Sequence, residues 1–96
     1  MRPSEVLEQN REVIRQIVAR RQVSNPRVYG SVLRGEDRTD SDLDILVDPS
    51  PSTSLFTLGG LQGDLEDALG ISVDVKVPGD FPPGIRKRII AEAAAI

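Results

Sequence analysis

Apolar residues recur at helical spacing through the first twenty positions. Leu7, Ile14, Ile17 and Val18, flanked by Val6 and Val13, make one stripe of a helix that packs on a sheet. Pro3 and Ser4 form its start. Glu5 and Glu8 place negative charge in the first turn and Arg20 and Arg21 positive charge in the last, the order a helix dipole favours, and Asn25-Pro26 is the expected stop. The pattern then shortens. Arg27-Val28-Tyr29 reads as a strand broken at Gly30, after which Ser31 caps a short helix that fails near Gly35. Leu43 to Val47 is almost wholly apolar, the mark of a strand covered on both faces, and ends at Asp48-Pro49. A helix follows from about Ser54 to Leu69, with Leu58, Leu61, Leu65 and Leu69 inward and Gly70 as its stop. "ISVDVKV" alternates as a strand with Ile71, Val73, Val75 and Val77 on one face and Ser72, Asp74 and Lys76 on the other. A Pro-rich turn, Pro78 to Gly84, leads to a last helix bearing Ile85, Ile89 and Ile90.

This alternation predicts an α/β (α+β) fold, a small mixed β-sheet of three or four strands with helices packed against it. With 96 residues the chain is expected to be a single domain, 1–96, with one core and no second lobe. No apolar run approaches the roughly 20 residues that span a bilayer, and Glu5 and Glu8 stand where a signal peptide would be apolar, so a cytoplasmic protein is expected. The absence of cysteine fits a reducing compartment. A net charge of -3 is the wrong sign for gripping phosphate backbones, and three aromatic residues (Tyr29, Phe56, Phe81) leave little to stack on bases, so no direct nucleic-acid partner is expected.

Composition also narrows the chemistry. With no histidine and no cysteine, a metal site must be built from oxygen, which favours Mg²⁺, Mn²⁺ or Ca²⁺ over zinc. Six carboxylates lie between Glu36 and Asp48. Strand alternation projects Asp42 and Asp44 together, and two carboxylates held that close repel unless a cation sits between them. Asp74 lies on the polar face of another strand, and strands pair about 4.8 Å apart, so it can complete a three-carboxylate cluster if the two are neighbours. Glu36, Asp37, Asp40 and Asp48 are expected to be solvated loop residues. An EF-hand calcium loop does not fit, because the glycine required after D-x-D is missing and Ile45 begins a strand. Upstream, Gly30-Ser31 permits close backbone approach and offers a hydroxyl beside free N–H groups, a cradle for phosphate, with Arg34 about one turn on. Arg34 can equally pair with Glu36 or Asp37. A divalent metal beside a phosphate cradle is a means of holding a nucleoside triphosphate for attack at phosphorus.

Gly30-Ser31, ten intervening residues, then Asp42-Leu43-Asp44 resembles the G-S and D-x-D signature of the DNA polymerase β nucleotidyltransferase superfamily. "GSVLRGEDRTDSDLDILV", "LGISVDVKV" and "PPGIRKRIIAEAAAI" resemble the minimal, MntA-like nucleotidyltransferases over nearly the whole chain. These are typically encoded beside a HEPN-domain ribonuclease toxin and act as its antitoxin. The resemblance implies that Gly30 and Ser31 hold the triphosphate of ATP, and that Asp42 and Asp44 bind two Mg²⁺ ions. Asp74 would be the third carboxylate, binding the catalytic metal and serving as base, while Arg34 and Ser41 match the surrounding "GSxxRG" and "SDxD". The implied reaction moves AMP from ATP to a hydroxyl, a tyrosine of the cognate HEPN toxin. Two rivals remain: a binding module that neutralises its partner by occupying it, and nucleotidylation of a small molecule. "RKR" at Arg86 to Arg88 reads as a solvent face or a partner contact, and "SLFTL" around Phe56 as core in the first instance, or else as an exposed patch that a partner covers.

Overall fold

Pro3 presets φ for the first turn of α1 (Pro3–Gln9), and one free N–H of that turn is served from far along the chain. The Ser4 N–H donates to Asp37 Oδ2 at 2.9 Å, a carboxylate at the positive end of the helix. Asp37 is only 5% exposed, so it is a buried helix cap and not the solvated loop residue its neighbours suggested. The computed structural model describes all of residues 1–96.

The single N-terminal helix expected from the stripe is two. Asn10 leaves helical geometry (φ −132°, ψ 21°), and its side-chain amide donates to the Val6 carbonyl at 2.8 Å, a local bond that competes with the helix ladder. α2 (Arg11–Ala19) restarts at once, and the stripe survives the break with Val6, Leu7, Ile14, Ile17 and Val18 buried. It ends at Ala19, well before Asn25-Pro26, because Gln22 turns left-handed (φ 60°) and β1 (Val23–Tyr29) begins. A bulge in β1, with Asn25 at φ 55° and the register shifting between Ser24 and Arg27, absorbs Pro26, which has no N–H to give a ladder.

β2 (Leu43–Pro49) is central in a sheet of order β3-β2-β1-β4. It pairs antiparallel with β1 and, through the crossover helix α3 (Leu55–Leu69), parallel with β3 (Val73–Lys76). Leu43, Ile45 and Val47 have no exposure and join Ile14, Val18, Leu61 and Leu65 in one core, while Leu46, on the other face, is also fully buried. The reading of β2 as covered on both faces holds. Ser54 caps α3, accepting the Thr57 N–H at 3.2 Å, and Gly70 ends it at φ 69°. On α3, Gln62 and Glu66 accept the outward N–H groups of Val75 and Val73, each at 3.1 Å, so the edge of β3 is not left open.

Beyond β3 come a 3₁₀ turn (Pro78–Asp80), α4 (Pro83–Glu92) and β4 (Ala94–Ala95), which pairs antiparallel with β1. A strand of two alanines has no periodicity to read, and it was not expected. The "SLFTL" segment is corrected as well: Leu55 is 85% and Phe56 91% exposed. Phe56 lies two positions before Leu58, about 200° round a helix of 3.6 residues per turn, so the phase that buries Leu61 and Leu65 turns it outward.

Candidate active site

The end of β1 and the start of β2 lie side by side, with Tyr29 paired to Asp44 in the register. Parallel pairing then sets Asp44 directly beside Asp74. The adjacency that alternation alone leaves open is thus supplied by the β2-α3-β3 crossover, and the two carboxylates share one face of the sheet. Asp42 precedes β2 by one residue.

Gly30 is the contact point between this acid group and the turn. Its φ is +77°, and a Cβ built there would lie 2.3 Å from Asp44 Oδ2. Only glycine meets both demands, the left-handed backbone and the open space the carboxylate fills. The following segment makes a single helical turn and not the short helix expected. Arg34 N–H donates to the Gly30 carbonyl at 3.2 Å, after which Gly35 N–H to Val32 O and Glu36 N–H to Ser31 O close a Schellman motif with Gly35 at φ 72°. Val32 is buried and pins the turn to the core, while the N–H groups of Ser31, Val32 and Leu33 donate to no backbone acceptor. Three such N–H groups side by side next to Gly30 are of a kind that can take an anion.

The electrostatics show what the acid group favours. Burial, then Asp74, then Asp42 push Asp44 up to about 6, with Arg34 and Lys76 pulling it partly back. A carboxylate in that condition gains from a nearby cation, and an all-oxygen donor set suits a hard divalent ion. The three acids do not converge into a ready three-ligand cage. Like charges part, and Lys76 gives Asp74 a nearer partner, Nζ to Oδ1 at 3.2 Å. Lys76 is therefore a partly exposed ion-pair partner of Asp74.

The remaining predicted residues are less uniform. Arg34 is near enough to Asp44 to act on it, but also forms an exposed pair with Glu36 at 3.4 Å. Ser41 turns into its own loop, its Oγ accepting the Arg38 N–H at 2.8 Å, so it shapes the approach to Asp42. Sequence reasoning missed Tyr29. Its ring meets Phe81 edge-on with centroids 5.9 Å apart, and its hydroxyl is pushed well above the usual phenol range by burial, then by Asp44, Asp74 and Asp80. Its place next to Gly30-Ser31 was the available signal, but its face depends on the β1–β2 register, which the sequence does not print.

The nucleotidyltransferase domain family matches residues 11–96. The chain is 39% identical over 69 residues to the protein adenylyltransferase MntA of Thermococcus cleftensis, covering 72% of itself and 70% of that protein. It is 35% identical over 80 residues to a candidate protein adenylyltransferase of Methanocaldococcus jannaschii, covering 83% and 86%. The chain belongs to the nucleotidyltransferase domain family. A solved candidate minimal nucleotidyltransferase superposes with a TM-score of 0.83 at 36% identity, over 97% of this chain and 93% of that one. A toxin–antitoxin complex solved with AMP-PNP superposes with a TM-score of 0.77 at 18% identity, over 90% and 71%, a likeness of fold. In this nucleotidyltransferase domain, Gly30 lies against Asp44, which is paired in turn with Asp74.

Proposed function

We propose that this nucleotidyltransferase is a Mg²⁺-dependent protein adenylyltransferase that moves AMP from ATP to a hydroxyl, a tyrosine of a HEPN-type toxin, and so acts as that toxin's antitoxin. The observation that carries the reading is the contact of Asp44 with Gly30, beside Asp74, which joins an anion cradle to a carboxylate group that favours a cation. The names of the relatives support adenylyl transfer to protein. Asp42, Asp44 and Asp74 would hold two Mg²⁺ ions; bound there, they would neutralise phosphate charge and polarise the phosphorus.

The chain's own part follows from its residues. The free N–H groups of the Gly30 turn bind the phosphates, and the carboxylates direct the acceptor hydroxyl. Asp74 takes the hydroxyl proton as the oxygen bonds to the α-phosphorus. The bond to the outgoing pyrophosphate breaks, and AMP remains as a phosphodiester on the acceptor. Lys76, paired with Asp74, must yield or share that carboxylate for it to act as base.

A second reading, neutralisation by occupancy alone, is favoured by one observation: Leu55 and Phe56 stand almost fully exposed at the start of α3, a surface suited to a protein partner. Asp42→Asn with Asp44→Asn separates the two. A double variant that still binds the toxin but no longer protects cells supports transfer, and one that protects fully supports occupancy.

A further inference from the structure

The basic triplet of α4 divides by role. Arg86 is spent on structure: its Nε donates to the Pro78 carbonyl at 2.8 Å and its Nη2 to the Phe81 carbonyl at 2.9 Å, which ties α4 to the segment after β3. Arg88 has no such task. It forms no ion pair in the chain. With Ile85, Ile89 and Glu92 it makes one wall of a cleft of about 430 Å³ whose facing wall includes Gly30 and Arg34. Positions 85, 88, 89 and 92 follow the spacing of one helix face, so the cleft is built by the phase of α4 and not by one stray side chain.

α4 buries none of its residues, yet it is fixed at its start by Arg86 and at its end by β4, paired to β1. A helix held at both ends over a cleft, with little packing of its own, places its polar face instead of filling the core. What it faces is the mouth of the phosphate turn. We infer that Arg88 is a phosphate-binding residue for the nucleotide, its guanidinium meeting the terminal phosphates that leave as pyrophosphate; this rests on the nucleotide reading above. A planar guanidinium suits phosphate oxygens, and it reaches the cleft from the side opposite the Gly30 turn. Glu92 works against an anion in the same cleft, and with Arg34 and Arg88 present the cations outnumber it.

Titration calorimetry of the full chain in Mg²⁺ with AMP-PNP, and separately with AMP, tests this. Arg88→Ala is expected to weaken AMP-PNP binding about tenfold or more and to leave AMP binding unchanged, since AMP lacks the terminal phosphates. Arg88→Lys regains part of the loss, Glu92→Gln tightens AMP-PNP, and Lys87→Ala binds as the unaltered chain does. An Arg88→Ala protein that holds AMP-PNP as tightly as the unaltered chain overturns the assignment while leaving the nucleotide reading intact. Equal losses of AMP and AMP-PNP also overturn it. If the unaltered chain binds neither nucleotide, the nucleotide reading falls and this inference with it.

Discussion

Gly30 and Asp44 are the residues through which fold and chemistry constrain each other. Any Cβ at position 30 must displace the Asp44 carboxylate and accept a left-handed backbone. Gly30→Ala should therefore cost about 1–3 kcal/mol of stability, seen as a lower midpoint in urea, and abolish transfer at temperatures where the variant is still folded. Asp44 itself has a worked pH sign. Its folded pKa is raised from 3.8 to about 6, so the stability given by its protonated form is present below the unfolded value and lost as pH rises through the folded one. Asp44→Asn should consequently raise the thermal midpoint of the metal-free chain at neutral pH and flatten its pH dependence between about 4 and 6. Added Mg²⁺ should stabilise the unaltered chain at neutral pH and give Asp44→Asn less. A metal-free Asp44→Asn protein no more stable at pH 7 than the original would contradict the repulsion described here.

At the scale of elements, what the sequence shows depends on how local the cause is. β2 and α3 were legible because each carries its own signal, an unbroken apolar run in one and capped heptad-like leucines in the other. The break at Asn10 was not, because the stripe from Leu7 to Val18 continues in phase across it. β4 and the burial of Asp37 depend on partners far along the chain, and a charged residue in a run of charges offers no hint that it caps a distant helix. The site divides in the same way: Gly30-Ser31 and Asp42-Leu43-Asp44 are motifs, whereas Tyr29, Lys76 and Arg88 reach the site only through strand register and helix placement. The Asp37 cap is open to a direct check. Asp37→Ala should destabilise the fold by about 1–2 kcal/mol, measured by urea unfolding. The lower end of that range is the better expectation, because the substitution also removes Asp37 Oδ1, a buried oxygen with no partner.

As a whole, the molecule is a four-stranded sheet with α1, α2 and α3 packed into one core, the acid group and the Gly30 turn at one place, and Leu55 and Phe56 the most exposed of its large apolar side chains. No helix is long and apolar enough to cross a membrane. On the antitoxin reading, the exposed Leu55 and Phe56 are the surface offered to the toxin. Leu55→Ser with Phe56→Ser should weaken capture of the toxin by about tenfold or more in a pull-down titration, with AMP-PNP binding unchanged. The central claim is transfer of AMP, and intact-mass spectrometry tests it most directly. The purified chain is incubated with ATP, Mg²⁺ and the product of the neighbouring gene as the proposed toxin, with Asp42→Asn/Asp44→Asn in parallel. The account predicts that the toxin gains the mass of one or more adenylyl groups with the unaltered chain and none with the double variant. An unmodified toxin in a folded, fully formed complex would contradict it.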